Sequence, residues 1–223
     1  MPSCLIIGAT RGIGAELARQ YTGDGWRVIG TFRGAADGAL LGARCARAVR
    51  ADVVANGWAV ELGRALAGEV LDLVIINAGV SGPQTDRVEP PDPASFDLVM
   101  RTNVLASMQL IPVIAPALPA DGKLVVISSR MGSIGGAEDP SWWLYRASKA
   151  ALNSVLKSAS LALGSRGVVC MALHPGWVQT DMGGPHAQLP VGESVTSMRR
   201  VIAAANRSHN GRFLNYNGEQ LEW

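Results

Sequence analysis

A doubly wound α/β domain, with about seven mainly parallel strands and helices on both faces, is the fold class that this chain predicts. Three observations carry it. Short unbroken apolar runs recur, among them Cys4–Ile7, Leu71–Ile76 and Leu124–Ile127, as strands buried on both faces of a parallel sheet require. Longer segments of helical periodicity separate them, and strands that alternate with helices mean βαβ units. The first run feeds a glycine-rich junction, GATRGIG at 8–14, where a helical pattern begins.

Taken in order, Cys4–Ile7 is the first strand, and Ile13, Leu17 and Tyr21 share one face of the helix that follows. Gly23 and Gly25 stop that helix, and Trp26–Phe32 is the second strand. Gly34–Ala43 reads as a short helix and Ala46–Ala51 as a third strand that ends at Asp52-Val53. Asn56–Ala67 is helical, with Trp58, Leu62 and Leu66 in register. The most strand-like run, Leu71–Ile76, ends in Asn77-Ala78-Gly79. Four prolines make Ser81–Pro93 a loop, and Ser95–Ala117 is a long helix that Pro112 and Pro116 bend or end. Strand Leu124–Ile127, a glycine-rich loop and a helix from Tyr145 to Leu163 follow. Val168–Leu173 is a sixth strand, Thr180–Pro190 a loop, Glu193–Ala205 the last helix and Phe213-Leu214 a short seventh strand.

The 223 residues suit one domain, 1–223, with a continuous core. A charged fraction of 17%, with 26 glycines, fits a buried sheet and close helix packing rather than disorder. A net charge of +2 without runs of like charge argues against nucleic acid or a membrane surface as partner. Cys4, Cys45 and Cys170 lack metal-ligand spacing and read as small core residues of a reducing compartment. No basic-then-apolar leader precedes the first strand, and no apolar run approaches the ~20 residues of a spanning helix. The expectation is a soluble, cytoplasmic protein with no metal.

Chemistry enters at two places. Gly8, Gly12 and Gly14 stand at the first strand-to-helix junction, where a dinucleotide pyrophosphate rests on helix N-terminal amides. Lacking a Cβ, glycine lets the backbone approach the phosphates. Tyr145 and Lys149, four residues apart, share one helix face. A lysine beside a phenol lowers a pKa that starts near ~10 and makes a general acid for near-neutral pH. Ser129 closes the preceding strand and can donate to the same substrate oxygen. Tyr-x-x-x-Lys alone is common in helices, so the pair acquires meaning from the glycine junction.

GATRGIG, Asp52-Val53, Asn77-Ala78-Gly79, Asn103, Ser129, Tyr145-x-x-x-Lys149 and Pro175-Gly176 with Thr180 occur in the order of the short-chain dehydrogenase/reductase family. The chain resembles that family over nearly its whole length. YRASKAALN, HPGWVQTDMGG and the final Glu-Trp resemble its C-factor/sniffer-type carbonyl reductase branch. Ile7 stands where the family usually has threonine. The resemblance implies a single Rossmann-like domain, and it implies roles. Tyr145 exchanges a proton with the substrate oxygen, Lys149 lowers the Tyr145 pKa and holds the nicotinamide ribose, Ser129 orients the carbonyl, and Asn103 supports a water relay. Ser128 and Ser133 compete for the serine role, and Ser129 is preferred because it is followed by x-x-Gly132, as in the family's pattern. The cofactor positions are Gly8, Thr10, Arg11, Gly12, Ile13, Gly14, Arg33, Asp52, Val53, Asn77, Ala78, Gly79, Tyr145, Lys149, Pro175, Gly176, Val178 and Thr180. Arg33 follows the second strand where an NAD site would carry an acid, Arg11 lies inside the glycine loop, and no acid competes with either. The expected cofactor is therefore NADP(H) rather than NAD(H).

The gap between Ser129 and Tyr145 exceeds that of most family members, so a small insertion lies over the site. The expected substrate wall is Ser129, Met131, Ile134, Trp142, Trp143, Trp177 and Met182, with His174 structural. The resemblance implies a reductase of small aldehydes or ketones that forms a homodimer or homotetramer through the helices holding Asn103 and Lys149. A dinucleotide-binding sensor of the C-factor type, with little turnover, is the alternative.

Overall fold

Each apolar run becomes a strand because both of its faces find cover. The computed structural model describes residues 1–223 and contains one seven-stranded sheet in the order β3-β2-β1-β4-β5-β6-β7. The strands are β1 (Ser3–Ile7), β2 (Arg27–Phe32), β3 (Arg47–Arg50), β4 (Leu73–Ile76), β5 (Lys123–Ile127), β6 (Val169–His174) and β7 (Arg212–Asn215). Every neighbouring pair is parallel. The order reverses between β1 and β4, and the crevice at their carboxyl ends is where such sheets take ligands.

Alternate strand residues face opposite layers. Leu5, Ile7, Val74, Ile76, Leu124 and Val126 pack with Leu62 of α3 (Trp58–Ala65), Leu110 of α5 (Ala106–Ile114) and Leu152 and Leu156 of α6 (Trp143–Gly164). Their neighbours Cys4, Ile6, Leu73, Ile75, Val125 and Ile127 pack with Leu17 and Tyr21 of α1 (Gly12–Gly23) and with Val195 and Met198 of α7 (Val191–Ala204). Helix α2 (Ala35–Gly42) covers the β2 side, and α4 (Pro93–Met100) precedes α5. The three cysteines are buried and free.

The expected long helix is divided. Asp92 caps α4 by accepting from the Ser95 amide at 2.9 Å, and Pro93 occupies the first turn, where its missing N–H costs nothing. A π-helical turn, Arg101–Leu105, then joins α4 to α5. Pro112 sits within α5, and a 3₁₀ turn at Ala115–Ala117 ends the run. The whole stretch Pro93–Ala117 has 25 residues and a mean hydropathy of 1.4, enough by length and composition to cross a membrane. That corrects the expectation that no such stretch exists. Half of its most apolar window is buried within the protein, where α5 packs against α3 and α6. Helix α6 begins at Trp143, two residues ahead of Tyr145, because Trp142 takes a left-handed backbone (φ 57°).

Candidate active site

The glycine junction is tight by necessity. A Cβ at Gly14 would lie 1.9 Å from the Gly8 carbonyl oxygen and 2.6 Å from Asn77 Nδ2, and Gly8 holds a positive φ of +81°. Asn77 Nδ2 donates to the Gly8 carbonyl at 2.8 Å, which ties the end of β4 to the loop after β1. Ile7 leaves no hydroxyl there. Thr31 on β2 supplies one, accepting from the Gly8 amide at 2.9 Å. No side chain caps α1 and no acid stands in its first turn, so its N-terminal amides remain available to an anion. Gly12 abuts Thr180, whose Cγ2 would lie 3.3 Å from an added Cβ. The cradle thus fits a dinucleotide pyrophosphate, with the segment after β6 closing over it.

That segment is anchored from beneath, where Ser194 Oγ donates to the Pro175 carbonyl at 2.6 Å. Gly176 (φ +85°) turns the chain against Leu189 and Tyr216, and buried Val178 bridges to Leu189. A cavity of about 440 Å³ opens among Gln179, Thr180, Asp181, Gly184 and Pro185. Asp52 and Val53, partly buried, follow β3, and the Asp52 carboxylate accepts from the Val54 amide.

Of the two arginines, one departs from expectation. Arg11 pairs with Asp181 at 2.7 Å, so an acid from 170 residues away does compete for it, and both side chains are exposed. Sequence distance hid this partner. Arg33 is exposed just beyond β2 and enters no ion pair, and its carbonyl accepts from Arg50 Nε at 3.4 Å.

The four polar candidates converge at the carboxyl ends of β4 and β5. Asn103 lies in the π-helical turn, buried, with Oδ1 accepting from the Val80 amide (2.9 Å) and Nδ2 donating to the Val80 carbonyl (2.8 Å) and to Ser148 Oγ (2.9 Å). A Cβ at Gly79 would stand 3.3 Å from Asn103 Oδ1 and 3.4 Å from Lys149 Nζ, so this glycine seats both side chains. Lys149, only 4% exposed, donates from Nζ to the Ile127 carbonyl at 2.9 Å and lies 5.6 Å from the Tyr145 ring centroid. Ser129 Oγ accepts from the Met131 amide. The competing serines are committed elsewhere: Ser128 Oγ donates to Asn153 Oδ1 at 2.6 Å, and Ser133 Oγ accepts from the Gly136 amide.

The electrostatics correct one expectation. Burial pushes the Tyr145 phenol up to about 12, and the neighbouring Ser129 hydroxyl opposes that shift. Whatever pull Lys149 exerts on the phenol is smaller than the effect of that burial. Its ammonium is directed to a backbone carbonyl, and removing the phenolate from water outweighs a cation at 5.6 Å. Burial likewise lowers Lys149 to about 8. A phenol that stays protonated at neutral pH is a ready proton donor to a developing alkoxide. His174 is lowered to about 4, by burial and then by Arg130, which leaves a neutral imidazole in keeping with a structural role.

Around these groups, Met131, Trp142 and Trp143 are partly buried, whereas Ile134 (78%), Trp177 (53%) and Met182 (50%) are exposed. Trp142 donates its amide to the Thr85 carbonyl at 2.8 Å, and Trp177 Nε1 donates to the Gly183 carbonyl at 2.9 Å.

The chain as a whole resembles known proteins. The family model for short chain dehydrogenases matches residues 3–188. C-signal of Myxococcus xanthus is 41% identical over 155 residues, 69% of this chain and 93% of that protein. A short-chain dehydrogenase/reductase from Burkholderia multivorans, crystallised with bound NADP, superimposes with a TM-score of 0.91 at 34% identity, covering 100% of this chain and 99% of that one. Carbonyl reductase Sniffer of D. melanogaster gives 0.89 at 27% identity over the full length of both chains.

Proposed function

This chain belongs to the short-chain dehydrogenase/reductase family, and from that premise we propose that it is an NADP(H)-dependent oxidoreductase that interconverts small aldehydes or ketones with their alcohols. One observation carries the reading: Ser129, Tyr145, Lys149 and Asn103 meet at the strand ends beside a tight glycine loop whose helix N-terminus is free of any side-chain cap. NADP(H), when bound, supplies or accepts the hydride. The glycine loop with Thr10 and Ile13, Asn77, Ala78 and Gly79 hold its phosphates and middle, and Asp52 and Val53 flank the adenine. Arg33, with Arg11 once released from Asp181, meets the 2′-phosphate. Pro175, Gly176, Val178 and Thr180 hold the nicotinamide end.

Tyr145 gives its proton to the carbonyl oxygen, and Ser129 donates a second hydrogen bond to it. Together they form an oxyanion-stabilising pair in a partly desolvated site. The Lys149 ammonium favours the phenolate left behind, and Asn103 fixes the π turn and the β4 end around that lysine. Loss of Tyr145 removes both the acid and an oxyanion donor. Tyr145→Phe therefore lowers kcat about 10³- to 10⁴-fold and leaves NADPH binding within about twofold. The experiment is NADPH oxidation with a panel of aliphatic and aromatic carbonyls. No turnover with any of them would overturn the reading.

The likeness to C-signal favours a second reading, a dinucleotide-binding signalling protein with little turnover. Under it, cofactor binding persists in a chain that reduces nothing. The exposed apolar residues Phe96, Leu98, Leu105 and Met108 along α4, the π turn and α5, with Leu161 on α6, support assembly as a homodimer or homotetramer.

A further inference from the structure

We propose that Trp223 is a positioning residue: the last residues of the chain hold the segment between Ser133 and Trp142 over the candidate site and so set which carbonyls enter it. The proposal rests on the reductase reading of that site, but its first test does not depend on turnover.

The segment needs an external tether. Residues 134–140 are all exposed and bury no apolar side chain of their own. Its two ends are nevertheless fixed to the chemistry. At the start, Gly132 packs so closely on α6 that an added Cβ would lie 2.8 Å from the Lys149 carbonyl carbon, and the Gly132 carbonyl accepts from Asn153 at 3.2 Å. At the far end, Trp142 is bonded to Thr85 and Arg146 pairs with Asp139 at 2.7 Å. Between them, Ile134 makes one bond beyond the segment, donating its amide to the backbone oxygen of Trp223 at 2.6 Å.

The chain that delivers Trp223 is itself well held. After β7 it turns at Gly218 (φ +91°) and returns antiparallel. The Asn215 amide donates to the Glu219 carbonyl at 2.7 Å, and the Leu221 amide donates to Phe213 at 2.8 Å. Trp223 then stacks on Phe213, with centroids 5.5 Å apart and planes 23° from parallel. Phe213 is fully buried in the core that also contains Leu152 and Leu156 of α6. The indole thus anchors its own backbone oxygen to the sheet edge, and that oxygen fixes Ile134. Loss of the stack frees Ile134, five residues after Ser129 in the segment that leads to Tyr145. The glycine cradle at residues 8–14 follows β1, three strands away from β6 and outside the path of this tether.

Amide hydrogen exchange of the apo protein tests the tether directly. In Trp223→Ala, the Ile134 amide is expected to exchange about tenfold faster, as loss of a single hydrogen bond implies, with β4 and β5 unchanged. Trp223→Phe, which keeps an aromatic face on Phe213, is expected to restore protection. Unaltered Ile134 exchange in Trp223→Ala, or equal loss of protection throughout the sheet, would overturn the tether. Steady-state kinetics then test its role. Trp223→Ala should raise KM for a bulky aromatic carbonyl about five- to tenfold, with kcat and NADPH affinity within twofold and rescue by Trp223→Phe. A fall in kcat or in NADPH affinity with KM unmoved would overturn the positioning role. Inactivity of the parent protein toward every carbonyl would instead overturn the reductase reading.

Discussion

Lys149 makes folding stability depend on pH in a way that can be read from one substitution. Its pKa is about 8 in the fold, lowered by burial, against 10.5 when exposed. Below pH 8 both folded and unfolded chains carry the ammonium, and the fold bears the full cost of burying it. As pH rises through 8 the native lysine sheds its proton while the unfolded one stays charged, so this contribution to stability rises with pH until about 10.5. At about 1.36 kcal/mol per pKa unit, the buried ammonium costs about 3 kcal/mol at neutral pH, of which about 2 to 3 disappears between pH 7.5 and 10. Tyr145 and the buried cysteines are raised rather than lowered, so they act in the opposite sense above their ordinary values. They are present in both proteins and cancel in the comparison. Lys149→Met removes the titration and keeps the bulk. Urea denaturation of the two apo proteins across this range should show the parent gaining on Lys149→Met by about 1 M in midpoint. Parallel pH profiles would refute the argument, since they would mean that the ammonium is not the buried charge its surroundings require.

Other substitutions separate roles that the fold places side by side. Ser129→Ala should lower kcat about 100-fold with little loss of stability, whereas Ser128→Ala, which strands Asn153, should cost about 1 to 2 kcal/mol in denaturation and spare kcat. Gly14→Ala forces a methyl to within 1.9 Å of the Gly8 carbonyl, so NADPH affinity measured by fluorescence titration should fall more than about 100-fold. NADPH should bind more tightly than NADH, and Arg33→Ala should narrow the gap by about 10- to 100-fold. Equal affinities in the parent protein would dismiss Arg33 as the selector.

The layers of this fold were legible because burial leaves a signature. Leu73–Ile76 and Leu124–Ile127 are covered on both faces, and nothing but an unbroken apolar run satisfies that. The motifs could be ordered along the chain for the same reason: each polar cluster follows a strand, and strand ends share one edge of the sheet. Three features did not show. The π-helical turn at Arg101–Leu105 keeps the composition of the helices beside it, so periodicity alone reads one long helix. Asp181 reaches Arg11 only after 170 residues of chain have folded back. The pKa of Tyr145 depends on how much water the surrounding walls exclude, and residue spacing carries no record of that. Thr31 stood in plain view, but its use became apparent only when β2 paired with β1 and brought the hydroxyl to Gly8.

The wider turn at Arg101–Leu105 also constrains how this helix can vary. That turn absorbs one residue beyond ordinary helical spacing, so trimming one residue there would restore that spacing and leave the downstream face pointing where it does now. Leu110, Ile111 and Ile114 would then stay in the interior, and Gln109 would keep its partner, the Trp58 indole. A single-residue deletion within α5 ahead of Leu110 should instead rotate that face by roughly 100° and expose it, so a change of length is tolerated at the wide turn and not in the helix after it.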